Sequence, residues 1–105
     1  MTYKYKQGNS IWLQLDAEID TIDDTWANWS GSYAVVDANG AIKLAGAMEK
    51  DTTIAGRFFT RINGLESVTL DPADYTLTTE IENVAIGYTQ ENADDKLVIL
   101  PQKIL

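Results

Sequence analysis

The densest run of ionisable side chains lies at residues 16–24, DAEIDTIDD, which holds Asp16, Glu18, Asp20, Asp23 and Asp24. Hard carboxylate oxygens converging from one short loop are what Ca2+ requires. The run lacks the glycine and the ligand register of an EF-hand loop. Two readings therefore stand side by side: a calcium loop, or a solvated acidic loop.

Other chemistry is narrowed by what the chain does without. It has no histidine and no cysteine. Serine–histidine and cysteine–histidine triads are thereby removed, as are imidazole and thiolate metal sites and disulfides. No glycine-rich phosphate loop is present. A nucleophilic serine activated by lysine has no supporting local spacing. Two carboxyl groups about 5–9.5 Å apart in a cleft, one with a raised pKa, would suit glycoside hydrolysis. With 16 acidic residues some pair must come close, so the count singles out none. Tyr75 enters a strand just after Leu70-Asp71-Pro72. A phenol that titrates near ~10, with no base nearby in sequence, is a poor catalyst at neutral pH. These residues lead to the expectation of a non-enzymatic protein with no catalytic residue and no cofactor.

Contact chemistry is better represented. Trp12 stands opposite the Ile11, Leu13 and Leu15 face of its run. Phe59 stands opposite Phe58, with Arg57 and Arg61 beside it on the same face. Aromatic residues next to arginine are enriched at interface hot spots. KLVIL (96–100) is apolar on both faces: Val98 and Leu100 point away from Leu97 and Ile99. Either the chain covers that second face itself or another subunit does. Trp12, Arg57, Phe59, Arg61, Val98 and Leu100 are the interface candidates. A sugar-stacking strip of Trp12, Trp26 and Tyr33 is the alternative use of the aromatics, and would make the chain a carbohydrate-binding module.

The elements that must position these residues are strands. SIWLQLD (10–16), NWSGSYAVVDA (28–38), AIKLAGA (41–47), TTIAGRFFTRI (52–62), SVTL (67–70), YTLTTEIEN (75–83), VAIGYTQE (84–91) and KLVILPQ (96–102) are rich in β-branched and aromatic residues, largely with period two. Asn39-Gly40 and Asn63-Gly64 are hairpin signals, and Asn-Ala-Asp-Asp (92–95) reads as a turn. No window carries a convincing helical repeat, and residues 17–27 read as a loop or a single helical turn. The expected fold is an all-β, immunoglobulin-like antiparallel sandwich of about seven to eight strands in one domain, 1–105. Its core would include Leu13, Leu15, Trp29, Tyr33, Val35, Leu44, Phe58, Leu70, Tyr75, Leu77 and Ile81. Tyr75 fits a tyrosine corner, its hydroxyl bonded back to upstream backbone.

Charge and hydropathy bound the partners. The 105 residues carry a net charge of −8 at pH 7, with Lys plus Arg 8 and Asp plus Glu 16. Cations against phosphate supply most nucleic-acid affinity, so neither nucleic acid nor an anionic membrane is an expected partner. The first residues, MTYKYKQGNS, have no signal-peptide core, and no run approaches the ~18–20 apolar residues of a bilayer span.

Read in order, Gln7-Gly8-Asn9 before an apolar strand, Gly40-Ala41-Ile42 at a hairpin, and Leu70-Asp71-Pro72-Ala73-Asp74-Tyr75 at a turn into a strand form a pattern. It resembles the small immunoglobulin-like β-sandwich proteins of phage and prophage structural modules, such as tail, baseplate and tail-fibre domains. The first motif has Asn9 where that group favours Asp, and the last has Ala73 where it favours Gly. The resemblance implies a non-enzymatic structural or adaptor role in a virion tail. It also implies self-assembly or contact with a neighbouring tail component, and a location in the virion or the bacterial host cytoplasm. It carries no functional residue.

Overall fold

The computed structural model describes residues 2–17 and 26–101. Among these residues seven strands alternate with short turns: β1 (Thr2–Lys6), β2 (Ile11–Asp16), β3 (Trp29–Val36), β4 (Ile42–Lys50), β5 (Arg57–Ile62), β6 (Ala73–Asn83) and β7 (Tyr88–Leu100). One short helix, α1 (Gly64–Ser67), lies between β5 and β6. The all-β expectation holds.

The strands form one sheet in the order β1-β7-β6-β3-β4-β5-β2. β1 runs parallel to β7, and the other neighbours are antiparallel. β4 makes the sheet continuous. Its residues from Ile42 to Met48 pair with β3, and then Glu49 and Lys50 turn to pair with Phe59 and Phe58 of β5. The hydrogen bonding thus describes a single rolled sheet. Its two edge strands, β1 and β2, come together without a backbone ladder. The Tyr5 hydroxyl donates to the Trp12 carbonyl at 3.1 Å, and the Tyr3 hydroxyl to the Gln14 carbonyl at 3.4 Å. A sheet with covered edges offers no template for edge-to-edge pairing.

Period-two alternation decides what is buried. β2 presents Ile11 and Leu13 to the interior, β3 presents Trp29, Tyr33 and Val35, and β6 presents Tyr75, Leu77 and Ile81. Phe58 and Ile62 from β5 and Leu97 and Ile99 from β7 complete the core with Met48 and Leu70. Full burial of such a side chain is worth about 1.5–3 kcal/mol relative to exposure. Of the residues expected inside, Leu15 and Leu44 are only partly buried, because they pack at the margin of the cluster.

The tyrosine corner is present. The Tyr75 hydroxyl donates to the Asp71 carbonyl at 2.7 Å while its ring sits in the core. Burial pushes the hydroxyl further above its ordinary pKa, so its role is structural. Tyr75→Phe keeps the ring and deletes the bond. It is expected to lower stability by about 0.5–1.5 kcal/mol, read by urea denaturation.

Five local expectations need correction. Asn63-Gly64 does not close a hairpin. The Asn63 side chain accepts from the Glu66 N–H at 2.9 Å and donates to the Glu66 carboxylate at 3.2 Å, which starts α1. The expected strand at 67–70 is therefore the end of α1 and a turn. Ser67 there is buried and donates to the Asn9 carbonyl at 2.6 Å, docking the Gln7-Gly8-Asn9 turn. Residues 84–86 form a 3-10 turn, closed by Gly87 at φ +69°, a left-handed conformation that favours glycine. The Asn-Ala-Asp-Asp segment is no turn but lies inside β7. Leu77 pairs with Asp95 and Thr79 with Asn92, so the extra residue is absorbed as a β-bulge. Finally, residues 52–56 are a turn before β5, which leaves Ile54 exposed.

Candidate functional site

β2 and β5 pair antiparallel with Trp12 opposite Arg61, Gln14 opposite Phe59 and Asp16 opposite Arg57. Since Ile11, Leu13, Phe58 and Ile62 point inward, these six residues share the outer face. The Trp12 and Phe59 rings stack, with centroids 5.3 Å apart and planes 15° apart. The Arg61 guanidinium lies 5.6 Å from the Trp12 ring centroid, within cation–π range. At the other end Arg57 Nε donates to Asp16 Oδ1 at 2.9 Å and Nη2 to Oδ2 at 3.4 Å, a fork that fixes both side chains. Trp12 remains 42% exposed, a large indole surface held flat against its neighbour and open to a partner.

The patch extends past Phe59. Trp26, Glu49, Lys50 and Phe59 line an open hollow beside the stack. Trp26 is fixed from three sides. Its ring meets Phe58 edge-on at 5.0 Å, its Nε1 donates to the Asp51 carbonyl at 2.9 Å, and Lys50 Nζ sits 5.5 Å from its centroid.

Four of the six interface candidates, Trp12, Arg57, Phe59 and Arg61, thus come together. Val98 and Leu100 do not join them. They lie on β7, where Val98 is flanked by Lys4 of β1 and Asp74 of β6, and Leu100 by Lys6. Val98 is half-buried and Leu100 exposed. The aromatic trio that would stack on sugars does not form one strip, because Tyr33 is buried in the core and Trp26 packs on Phe58.

Of the acidic run, Glu18, Asp20, Asp23 and Asp24 lie outside the described residues. Asp16 is held by Arg57, whose hydrogen bond and charge lower its carboxyl below the ordinary carboxylate value. Among the described residues no group of three or more carboxylates is placed to hold a metal ion. Depression of the Asp16 pKa makes its fork with Arg57 a stabilising contact above the unfolded-state carboxylate pKa. The contribution fades as pH falls through the lower folded value. Asp16 is well exposed and Arg57 partly so, and the effect is small and screened by salt. Asp16→Asn is expected to flatten the acid limb of a stability–pH curve below about pH 4 and leave the neutral region nearly unchanged.

Residue types alone did not reveal two features. Tyr3 and Tyr5 alternate in β1, and only the roll of the sheet shows that their hydroxyls cover the β2 edge. Thr79 is the one non-aromatic polar residue among the inward positions 75–81 of β6, a signal that alternation makes visible.

Compared with known proteins, the sequence matches no protein-family model and no curated protein.

Proposed function

We propose that this chain is a non-enzymatic structural or adaptor protein that works by docking the outer face of β2–β5 onto a copy of itself or onto a neighbouring structural component. The observation that carries this reading is the Trp12–Phe59 stack with Arg61 over it, an aromatic–arginine group held rigid on a strand ladder. Rigid aromatic anchors lose little conformational entropy on binding and dominate interface energetics. The tyrosine-covered edges direct association to the face of the sheet. The strong negative charge of the chain selects among partners by charge complementarity.

The setting we propose, from the resemblance of the sequence, is a phage or prophage tail, which puts the protein in the virion or the host cytoplasm. Among the described residues no helix is long and apolar enough to cross a membrane.

Sedimentation velocity across a wide concentration range tests the self-assembly half of this reading. The average mass is expected to rise above the 11.6 kDa of one chain as concentration increases. A chain that stays monomeric at the highest concentrations removes self-assembly.

A further inference from the structure

At the end of the sheet where β2 finishes and β7 begins, the roll leaves a cleft of about 420 Å³. Sites for small molecules commonly measure about 300–1,000 Å³. Its apolar lining comes from Leu15, Ala17 and Ile81, and its polar lining comes from Asp16, Thr79, Tyr88, Gln90 and Asn92.

Thr79 is the informative residue. It points inward from β6, is only 4% exposed, and its Oγ1 has no hydrogen-bond partner. Its neighbours on the same face are Leu77 and Ile81. A valine would fill the position without an orphaned hydroxyl, so threonine there is unfavourable unless something bonds to it. The other polar groups are already oriented. The Tyr88 hydroxyl donates to Gln90 Oε1 at 2.6 Å, and Asn92 Oδ1 accepts from the Asp94 N–H at 2.9 Å. Each amide therefore has its oxygen engaged and its NH2 group left as a donor. The β7 bulge is what sets Asn92 opposite Thr79.

We infer that this cleft binds a neutral, polyhydroxylated small molecule about the size of one or two sugar rings. Neutrality follows from the lining. Among the described residues Asp16 is the one charged residue of the lining, and it is already paired with Arg57, so an anion meets no free cation there. The class follows from the mixture. Thr79 Oγ1 both donates and accepts, the amides donate, and the apolar side chains match the C–H face of a sugar ring. Tyr88 stands at the mouth, 39% exposed, with its ring fixed edge-on to Trp29 at 5.2 Å. The cleft shares Asp16 with the docking face but uses none of Trp12, Phe59 or Arg61, so the two can be tested separately.

The test is a titration of the full, isotope-labelled chain with D-glucose, D-galactose, N-acetyl-D-glucosamine and, as the anionic control, D-glucose 6-phosphate, followed by amide chemical shifts. Saturable shifts are expected with a neutral sugar at residues 15–17, 79–81 and 88–92, and weaker binding or none with the phosphate. Thr79→Val is expected to weaken that binding by about three- to tenfold while the melting temperature holds or rises, because an unpaired hydroxyl is removed. Trp12→Ala is expected to leave it unchanged. The inference is overturned if none of the neutral sugars gives saturable shifts, or if the shifts fall elsewhere. It is equally overturned if Thr79→Val binds like the parent or if the phosphate binds as tightly as glucose.

Discussion

Replacing Phe58 by alanine is expected to destabilise the protein by about 3–5 kcal/mol, the range for losing a buried phenyl ring and leaving its cavity. Phe58 is fully buried where β4 crosses to β5, with Trp26 packed edge-on against it. On its other side lies Gly31 of β3. A Cβ placed on Gly31 would stand 2.7 Å from Phe58 Cδ1 and 3.1 Å from Cε1. Those distances are well inside carbon–carbon contact, and a fully enclosed ring has nowhere to move. Gly31→Ala is therefore expected to cost about 1–3 kcal/mol by overpacking. A domain of this size has a total stability of about 5–15 kcal/mol, so the Phe58 variant loses a large share of it. Urea denaturation of the two single variants and the double variant gives the cycle. The Gly31 penalty should largely vanish once the Phe58 ring is gone, because the clash it describes needs that ring. Additive penalties would mean that Gly31 does not seat Phe58.

The second large effect is on association. Trp12→Ala removes the centre of the outer patch, and central aromatic anchors cost about 2 kcal/mol or more when truncated, roughly a thirtyfold loss of affinity. The fold should hardly notice, since Trp12 is 42% exposed and points away from the core. Arg61→Ala should weaken association less, because a cation–π contact at an exposed ring is worth only about 0.5–1 kcal/mol. Phe59→Ala is the less discriminating variant: its backbone pairs with both β2 and β4, and its side chain is half-buried. The measurement is the concentration dependence of sedimentation for each variant beside its urea midpoint. A loss of association without a loss of stability is the expected pattern for Trp12→Ala.

How far the fold could be read from the residues depended on whether the signal was local. Alternation in 10–16, 29–36 and 75–83 is written in side-chain types, and β2, β3 and β6 follow it, as does the tyrosine corner at Tyr75. The two Asn-Gly dipeptides show where this stops. After Asn39-Gly40 the chain returns to pair with the strand it has just left, and the turn forms. After Asn63-Gly64 comes Leu65-Glu66-Ser67, and Asn63 finds Glu66 as a capping partner instead. Residues 92–95 have turn chemistry, but β6 pairs on both sides of them and holds the segment extended as a bulge.

The docking face divides in the same way. That Trp12, Phe59, Arg57 and Arg61 face outward follows from period two. That β2 lies against β5, so that Trp12 meets Phe59, is a long-range pairing with no local signal. Val98 and Leu100 carry the same outward signal, yet β7 is bounded by β1 and β6, and β1 stands between it and β2 where the sheet rolls up.

On the proposed function, association runs through the outer face of β2–β5. Amide chemical shifts recorded over a dilution series of the labelled chain test it most directly. Concentration-dependent shifts are expected to gather on Trp12, Gln14, Phe59 and Arg61 and to disappear in Trp12→Ala. Shifts that gather on the outer face of β1–β7, around Val98 and Leu100, or that persist in Trp12→Ala, would contradict it.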